Sequence, residues 1–192
     1  MSIDSTLDRR MKMAQELSPE KKFVPARLPW VAAGGALVIY LLTLNHWVSL
    51  GGLWPVARAS GWSWQPDVNG PLHWLVTYPF HFLPLKTIPI ALNVFSALCA
   101  FLTLALLARS VALLPHDRTE EQRIRERNPF AVLTIRAAWV GPVLAVIACG
   151  LQLSFWESAT AASSDMFDLL LFAYVIRCVL EFRVDGRVSW LL

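Results

Sequence analysis

Charge is scarce in this sequence. Asp, Glu, Lys and Arg make up 16% of its 192 residues, against roughly 25% in a soluble domain. Hydrophobic residues make up 56% and gather into long runs. That clustering is the mark of a membrane protein rather than of a large soluble core. Cysteine is scarce too. Cys99, Cys149 and Cys178 each lie inside an apolar run. No pair has metal-ligand spacing and none sits in a loop fit for a disulfide, so all three read as buried thiols. The chain has no Walker loop, nucleotide fold, nucleophile elbow or zinc signature. It has no internal repeat and no low-complexity tract. The net charge of +3 is small, and the basic residues form no single patch, which argues against a nucleic-acid surface. A cleavable signal is missing as well. Residues 1–27 are polar and mixed in charge, and the first apolar run starts only at Leu28, so that run should stay as a membrane anchor.

What is present is a series of apolar stretches long enough to cross a bilayer, which takes roughly 20 residues as a helix. The spacing predicts four spans, at about residues 30–49, 87–108, 137–156 and 161–180. Span 1 carries Trp30 and Trp47 near its ends, where indole rings favour the headgroup level. Gly141-Pro142 should kink or thin the start of span 3. Span 4 is the least clean, since Asp165, Asp168 and Arg177 lie inside it. Arg177 has Glu181 four residues on and reads as structural. Asn93 and Ser96 in span 2 read as groups that hydrogen-bond to neighbouring helices.

The connections differ in character. Residues 1–27 form a polar arm, with a short helix expected over residues 5–22. Loop 50–86 contains PLHWLVTYPFHFLPL, which is apolar but too short to span, and reads as an interfacial or re-entrant helix. Loop 109–136 contains RTEEQRIRER, a short soluble helix with capping-box spacing between Thr119 and Gln122. Residues 186–192 read as the start of a further segment. The predicted fold is thus all-α and polytopic: a membrane domain over 28–185 with four transmembrane helices, an external interfacial helix and a short cytoplasmic helix.

Fifteen of the Lys and Arg residues fall in the arm, in loop 109–136 and at or beyond the end of span 4, and two, Arg58 and Lys86, in loop 50–86. The positive-inside rule then places both termini in the cytoplasm, of a bacterial inner membrane in this reading. Loop 50–86 and the turn before span 4 face the other side.

That face holds few ionisable groups, so any site there must use them. Asp67 sits in the string GWSWQPDVNGPLHW, on a turn among indole rings. A partly desolvated carboxylate there would be a better proton acceptor; the plain alternative is a solvated turn aspartate. Trp64 and Trp74 offer a wall for a sugar ring or a lipid tail, or serve as interfacial anchors. His73 and His81 lie eight apart, near one face of the short helix, and lack a third metal ligand. They read as polar edges of that helix. In FWESATAASSDMFDLL, an unbroken helix would put Glu157, Ser164 and Asp168 within about 20° of one another. Carboxylates inside a span usually face a cavity; the alternative is a helix start that leaves Asp165 and Asp168 wet. The candidate catalytic residue is Asp67. The candidate substrate-binding residues are Arg58, Trp64, His73, Trp74, Glu157, Asp165 and Asp168. No metal ligands are assigned, although a divalent metal near Asp165 or Asp168 stays open.

The order of these features resembles a known family. A span, a long external loop, a short apolar helix ending at Leu83-Pro84, then ALNVFSALCAFLTLALLA and LSFWESATAASSDMFDLLLFAY, resemble the N-terminal part of an uncharacterised bacterial membrane family related to protein O-mannosyltransferases. The resemblance covers roughly residues 35–185, and NVFSAL and FW-x-x-AT are its most specific parts. It implies a glycosyltransferase that uses a polyprenyl-phosphate-linked sugar at the external face, with a loop carboxylate as base. The family's Asp-Ser-Gly-Glu stretch falls on residues 48–52, which hold neither acid. Its His-Pro-Pro-Gly step falls on residues 65–70, and the glutamate of its later loop on Ser163, two residues before Asp165. Such transferases have eight or more spans, so the resemblance also implies either an N-terminal portion or a shortened relative that works with further membrane subunits. Two functions follow. One is a glycosyltransferase-like membrane module. The other is a non-catalytic assembly subunit of a larger membrane complex. Membrane lipids are partners in both.

Overall fold

The computed structural model describes residues 27–63, 70–113 and 139–185. The expected helices at 5–22 and 118–127, the candidates Trp64 and Asp67, and residues 186–192 lie outside the described residues. The described chain is helical throughout and has no strand. Seven α-helices follow one another: α1 Leu28–Leu42, α2 Leu53–Ala59, α3 Pro71–Thr77, α4 Ile88–Leu113, α5 Val140–Gly150, α6 Leu153–Thr160 and α7 Asp165–Asp185, with a short 3₁₀ helix, Tyr78–Phe82, directly after α3.

Helix α4 is the axis of the bundle. It packs against α1, α5, α6 and α7, and its end near Ile88 also meets α2 and the 3₁₀ helix. It can touch so many neighbours because its buried positions are small: Ser96, Ala97, Ala100, Ala105, Ala108 and Ala112. Small side chains let helix backbones approach closely. One core cluster joins Ala33 and Tyr40 of α1, Leu104 of α4, Val146 of α5, Phe155 of α6 and Met166 of α7. A second, smaller one joins Ala59, Ile88, Leu92 and Ala162 at the loop end.

Among the described residues, one helix is long and apolar enough to cross a bilayer, α4, with 26 residues. The pair α5 and α6 passes the same test only as a single span, and it is bent by 72°. Helix α1 is apolar but has 15 residues, short of the roughly 20 required. Helix α7 has 21 residues, but it carries Asp165, Asp168, Arg177, Glu181, Arg183 and Asp185.

Each boundary that differs from expectation has a local cause. The first helix stops at Leu42 instead of running to 49. Thr43 closes it by bonding the Ile39 carbonyl, and the Asn45 side chain accepts a hydrogen bond from the Trp47 N–H at 3.0 Å. Such an Asx turn competes with the helix ladder. The third stretch breaks at Gly150–Gln152 instead of continuing to 156. The Tyr40 hydroxyl donates to the Gly150 carbonyl at 2.7 Å. A Cβ on Gly150 would lie 3.0 Å from that hydroxyl and 3.2 Å from Leu104, so the glycine permits the insertion that bends the helix. The last helix starts at Asp165, not 161. Ala161 is extended (φ −124°, ψ 157°), and the Ser163 N–H is held by Ser96 Oγ at 3.1 Å.

The second helix instead overruns its expected end at 108 and reaches Leu113. Arg109 does not terminate it because its charge is met. Its guanidinium lies 2.9 Å from Glu181 of α7, which Arg177 also reaches at 3.0 Å. Glu181 is only 4% exposed. Arg177 is thus structural, as the i,i+4 spacing implied. The three cysteines are free thiols, with Cys99 buried and the other two half-buried.

Candidate functional site

Three segments converge at the end of α4 near Ile88, and the most specific sequence motifs hold them there. Asn93, 2% exposed, donates through Nδ2 to the Asn45 carbonyl. The Asn45 N–H in turn donates to the Thr160 carbonyl at 3.2 Å. Ser96, three residues after Asn93 in NVFSAL, binds the backbone of Ser163. The aromatic pair of FW-x-x-AT packs on Tyr40, with ring centroids 6.3 Å (Phe155) and 5.7 Å (Trp156) away. Asn93 and Ser96 therefore do make hydrogen bonds across the bundle, but to loop backbone rather than to the neighbouring helices expected. They fix the loop after α1 and the loop before α7 onto one end of the bundle.

Against this platform lies α2. Its last four carbonyls have no partners within the helix, as at any helix C-terminus. Here each finds one. Val56 accepts from the Ser60 N–H at 2.9 Å, Ala57 from the Trp62 N–H at 2.9 Å and Arg58 from the Gly61 N–H at 3.1 Å. The Ala59 carbonyl accepts from the ring of His81 at 3.1 Å. The bonds from Gly61 and Trp62 form a Schellman cap, which needs a left-handed residue at Gly61. That residue has φ +79°. The glycine that opens GWSWQPDVNGPLHW is therefore a helix stop.

Between the end of α2 and the α3–3₁₀ segment is a cleft of about 310 Å³. Arg58, Ser63, Trp74, Thr77, Tyr78 and His81 line it. The Arg58 guanidinium lies 4.9 Å from the Trp54 ring centroid, a cation–π distance. Trp74 and Tyr78 stand 5.5 Å apart. The cleft thus offers aromatic faces, hydroxyls, one positive charge and one imidazole. This suits a polyhydroxylated or anionic ligand. A separate groove of about 210 Å³ between α1 and α5 is apolar and ends at Tyr40 and Trp156.

Of the expected site residues, Arg58 and Trp74 meet in the cleft. His73 does not. It is 6% exposed, and its ring packs between Phe95 of α4 and Phe167 of α7, at 6.4 and 5.9 Å. His73 and His81 do not share a helix face as expected. The chain tightens into a 3₁₀ turn at Tyr78, beside Pro79. Three residues per turn replace 3.6, which rotates the later residues. Glu157, Ser164 and Asp168 do not share a face either, because the extended residues after Thr160 separate α6 from α7. Glu157, Asp165 and Asp168 are all exposed. Asp165 and Asp168 occupy the first turn of α7, where acids oppose the positive end of the helix dipole. They stand exposed at the start of that helix and line neither the cleft nor the groove. Ser63, Thr77, Tyr78 and His81 also line the cleft and are absent from the residues expected from sequence. Among the described residues no group of three His, Cys, Asp or Glu is arranged to hold a metal.

Residues 69–189 match the family model described as the Protein O-mannosyl-transferase TMEM260 N-terminal domain. The chain belongs to this family. The match spans most of the chain and includes both specific motifs, NVFSAL and FW-x-x-AT. It begins well after residue 35, where the resemblance was placed. Within the cleft, Trp74, Thr77, Tyr78 and His81 fall inside the matched TMEM260-type domain, while Arg58 and Ser63 precede it. No curated protein and no solved structure matches the chain. Membership in an O-mannosyltransferase family gives the chain a glycosyltransferase-related function.

Proposed function

We propose that the chain is a membrane-embedded glycosyltransferase module that binds a lipid-linked sugar at the external membrane face. Family membership over residues 69–189 carries this reading. The cleft supports it, because it lies where the family's own motifs gather the loops. In this proposal α1, α4, the bent α5–α6 pair and α7 cross the bilayer, and both termini are cytoplasmic. The loop end holds Arg58 and Lys86, while Arg109, Arg177 and Arg183 lie toward the opposite end of α4 and α7, in keeping with the positive-inside rule. The exposed apolar side chains of α3 and its extension, Leu72, Leu75, Phe82 and Leu85, would rest in the interface beside membrane lipids.

The donor would be a polyprenyl-phosphate-linked sugar. Arg58 would attract its phosphate, and Trp74 and Tyr78 would hold a sugar ring against their faces. Asp165 and Asp168 stand outside the cleft and have no part in this scheme. The expected loop acids are missing at residues 48–52. That stretch is a turn closed by bonds from the Gly52 N–H to the Ser49 carbonyl and hydroxyl. This specific observation favours a second reading, a non-catalytic subunit that assembles with further membrane proteins. Purified chain in vesicles carrying polyprenyl-phosphate mannose, offered a Ser/Thr-containing peptide, separates the two. Mannosylated peptide supports the transferase; its absence, together with intact donor binding, supports the subunit.

A further inference from the structure

We propose that His81 is the general base of this cleft, taking the proton of the acceptor hydroxyl through Nε2. The inference rests on the transferase reading above and names the residue that replaces the missing loop acid.

The tautomer follows from the helix end. The Ala59 carbonyl can only accept, so the His81 Nδ1 at 3.1 Å must carry the hydrogen. In the neutral ring, Nε2 is then the acceptor. Among the described residues Nε2 has no hydrogen-bond partner. The ring is exposed and lines the cleft beside Arg58, Ser63 and Trp74.

Its position is built from three sides. Ala59, the anchor, is buried in the small cluster with Ile88, Leu92 and Ala162. Tyr78 stacks on the ring at 6.4 Å and 23°. Gly61 closes the third side, since a Cβ there would lie 3.0 Å from His81 Cε1. A base whose second nitrogen is fixed by a buried acceptor is the arrangement that keeps an imidazole in one tautomer. No carboxylate stands among the described residues of this loop, 44–63 and 70–88; Asp67 lies outside them.

In the step, the acceptor O–H proton passes to Nε2, and the oxygen's electron pair forms the bond to the anomeric carbon of the donor. The bond from that carbon to the phosphate oxygen breaks, and its electron pair leaves with the lipid phosphate. The imidazolium returns its proton to water at the open side of the cleft.

The test is His81→Asn in the full chain, in vesicles of polyprenyl-phosphate mannose with a Ser/Thr-containing peptide. The asparagine amide can still reach the Ala59 carbonyl, so the anchor survives and only Nε2 is lost. A base contributes about 10²–10⁴-fold. The expected result is a kcat at least about 100-fold lower, with the donor KM unchanged and partial recovery on adding imidazole. A merely structural histidine would not give that recovery. A kcat within threefold of the parent, or a loss that imidazole does not restore in a folded variant, overturns the base while leaving the transferase reading intact. A parent chain that transfers nothing overturns the transferase reading itself. Carbethoxylation with diethylpyrocarbonate then tests the nitrogen independently of transfer. Modification of His81 but not of buried His73 supports the geometry, and a resistant His81 overturns it.

Discussion

Gly61→Ala probes the geometry around the cleft most sharply. Two costs add. The first is conformational: alanine at φ +79° sits in the left-handed region, which costs about 1–2 kcal/mol. The second is steric: its Cβ would meet His81 Cε1 at 3.0 Å, tighter than nearly all such contacts. The ring must move, and its bond to Ala59, worth about 0.5–1.5 kcal/mol, weakens or is lost. The total is about 1.5–3.5 kcal/mol. For a chain of this size that is a fall in Tm of roughly 3–14 °C, measured by thermal unfolding in detergent. The same substitution made together with His81→Ala should cost only the conformational part. A double-mutant cycle therefore isolates a coupling of about 1 kcal/mol. Equal costs in both backgrounds would refute the packing of Gly61 against His81. A cost under about 0.5 kcal/mol would refute the Schellman cap as well.

Further predictions concern the platform and the far end. Asn93→Ala removes the donor that holds the Asn45 carbonyl, and should cost about 1–3 kcal/mol by the same unfolding measurement. Glu181→Ala leaves Arg109 and Arg177 without their shared carboxylate. Removing one partner of a buried ion pair costs about 3–5 kcal/mol, so this variant should be the least stable of the set. Asp165→Asn and Asp168→Asn lose only a favourable helix-end charge, about 0.3–1 kcal/mol each, and should leave sugar transfer unchanged. A large loss of transfer in either would return these acids to the site.

The helical class was legible because apolar runs between charged loops have few other solutions. The second run was placed within one residue at its start, since nothing polar interrupts it before Asn93. Its end was not, because sequence shows that Arg109 is charged but not that Glu181, 72 residues on, would meet it. The remaining errors share one cause. A single polar group at an apolar stretch decides whether a helix continues. Asn45 ends α1, Tyr40 breaks the third run through Gly150, and Ser96 captures Ser163 ahead of α7. The Asn45 turn is local, but the partners of Tyr40 and Ser96 are distant in sequence, so periodicity carries no trace of them. The site was legible in part. Arg58 stands out as one of few ionisable groups on its face, and Trp74 as one of the indoles clustered in the same loop. His81 was seen but paired with His73, because a uniform helix was assumed where Tyr78–Phe82 winds more tightly. The one signal that pointed to it was Gly61, a glycine following Ser60 at the end of a short apolar helix.

The central claim is that the cleft beside α2 handles a lipid-linked sugar. The most direct measurement is mannose transfer from polyprenyl-phosphate mannose to a Ser/Thr-containing peptide in vesicles, comparing the parent chain with Trp74→Ala. The account predicts transfer by the parent, and a fall in kcat/KM of about tenfold or more when the aromatic face is removed, at roughly 1.4 kcal/mol per decade. Transfer that is indifferent to Trp74, or no transfer by the parent chain, would contradict it.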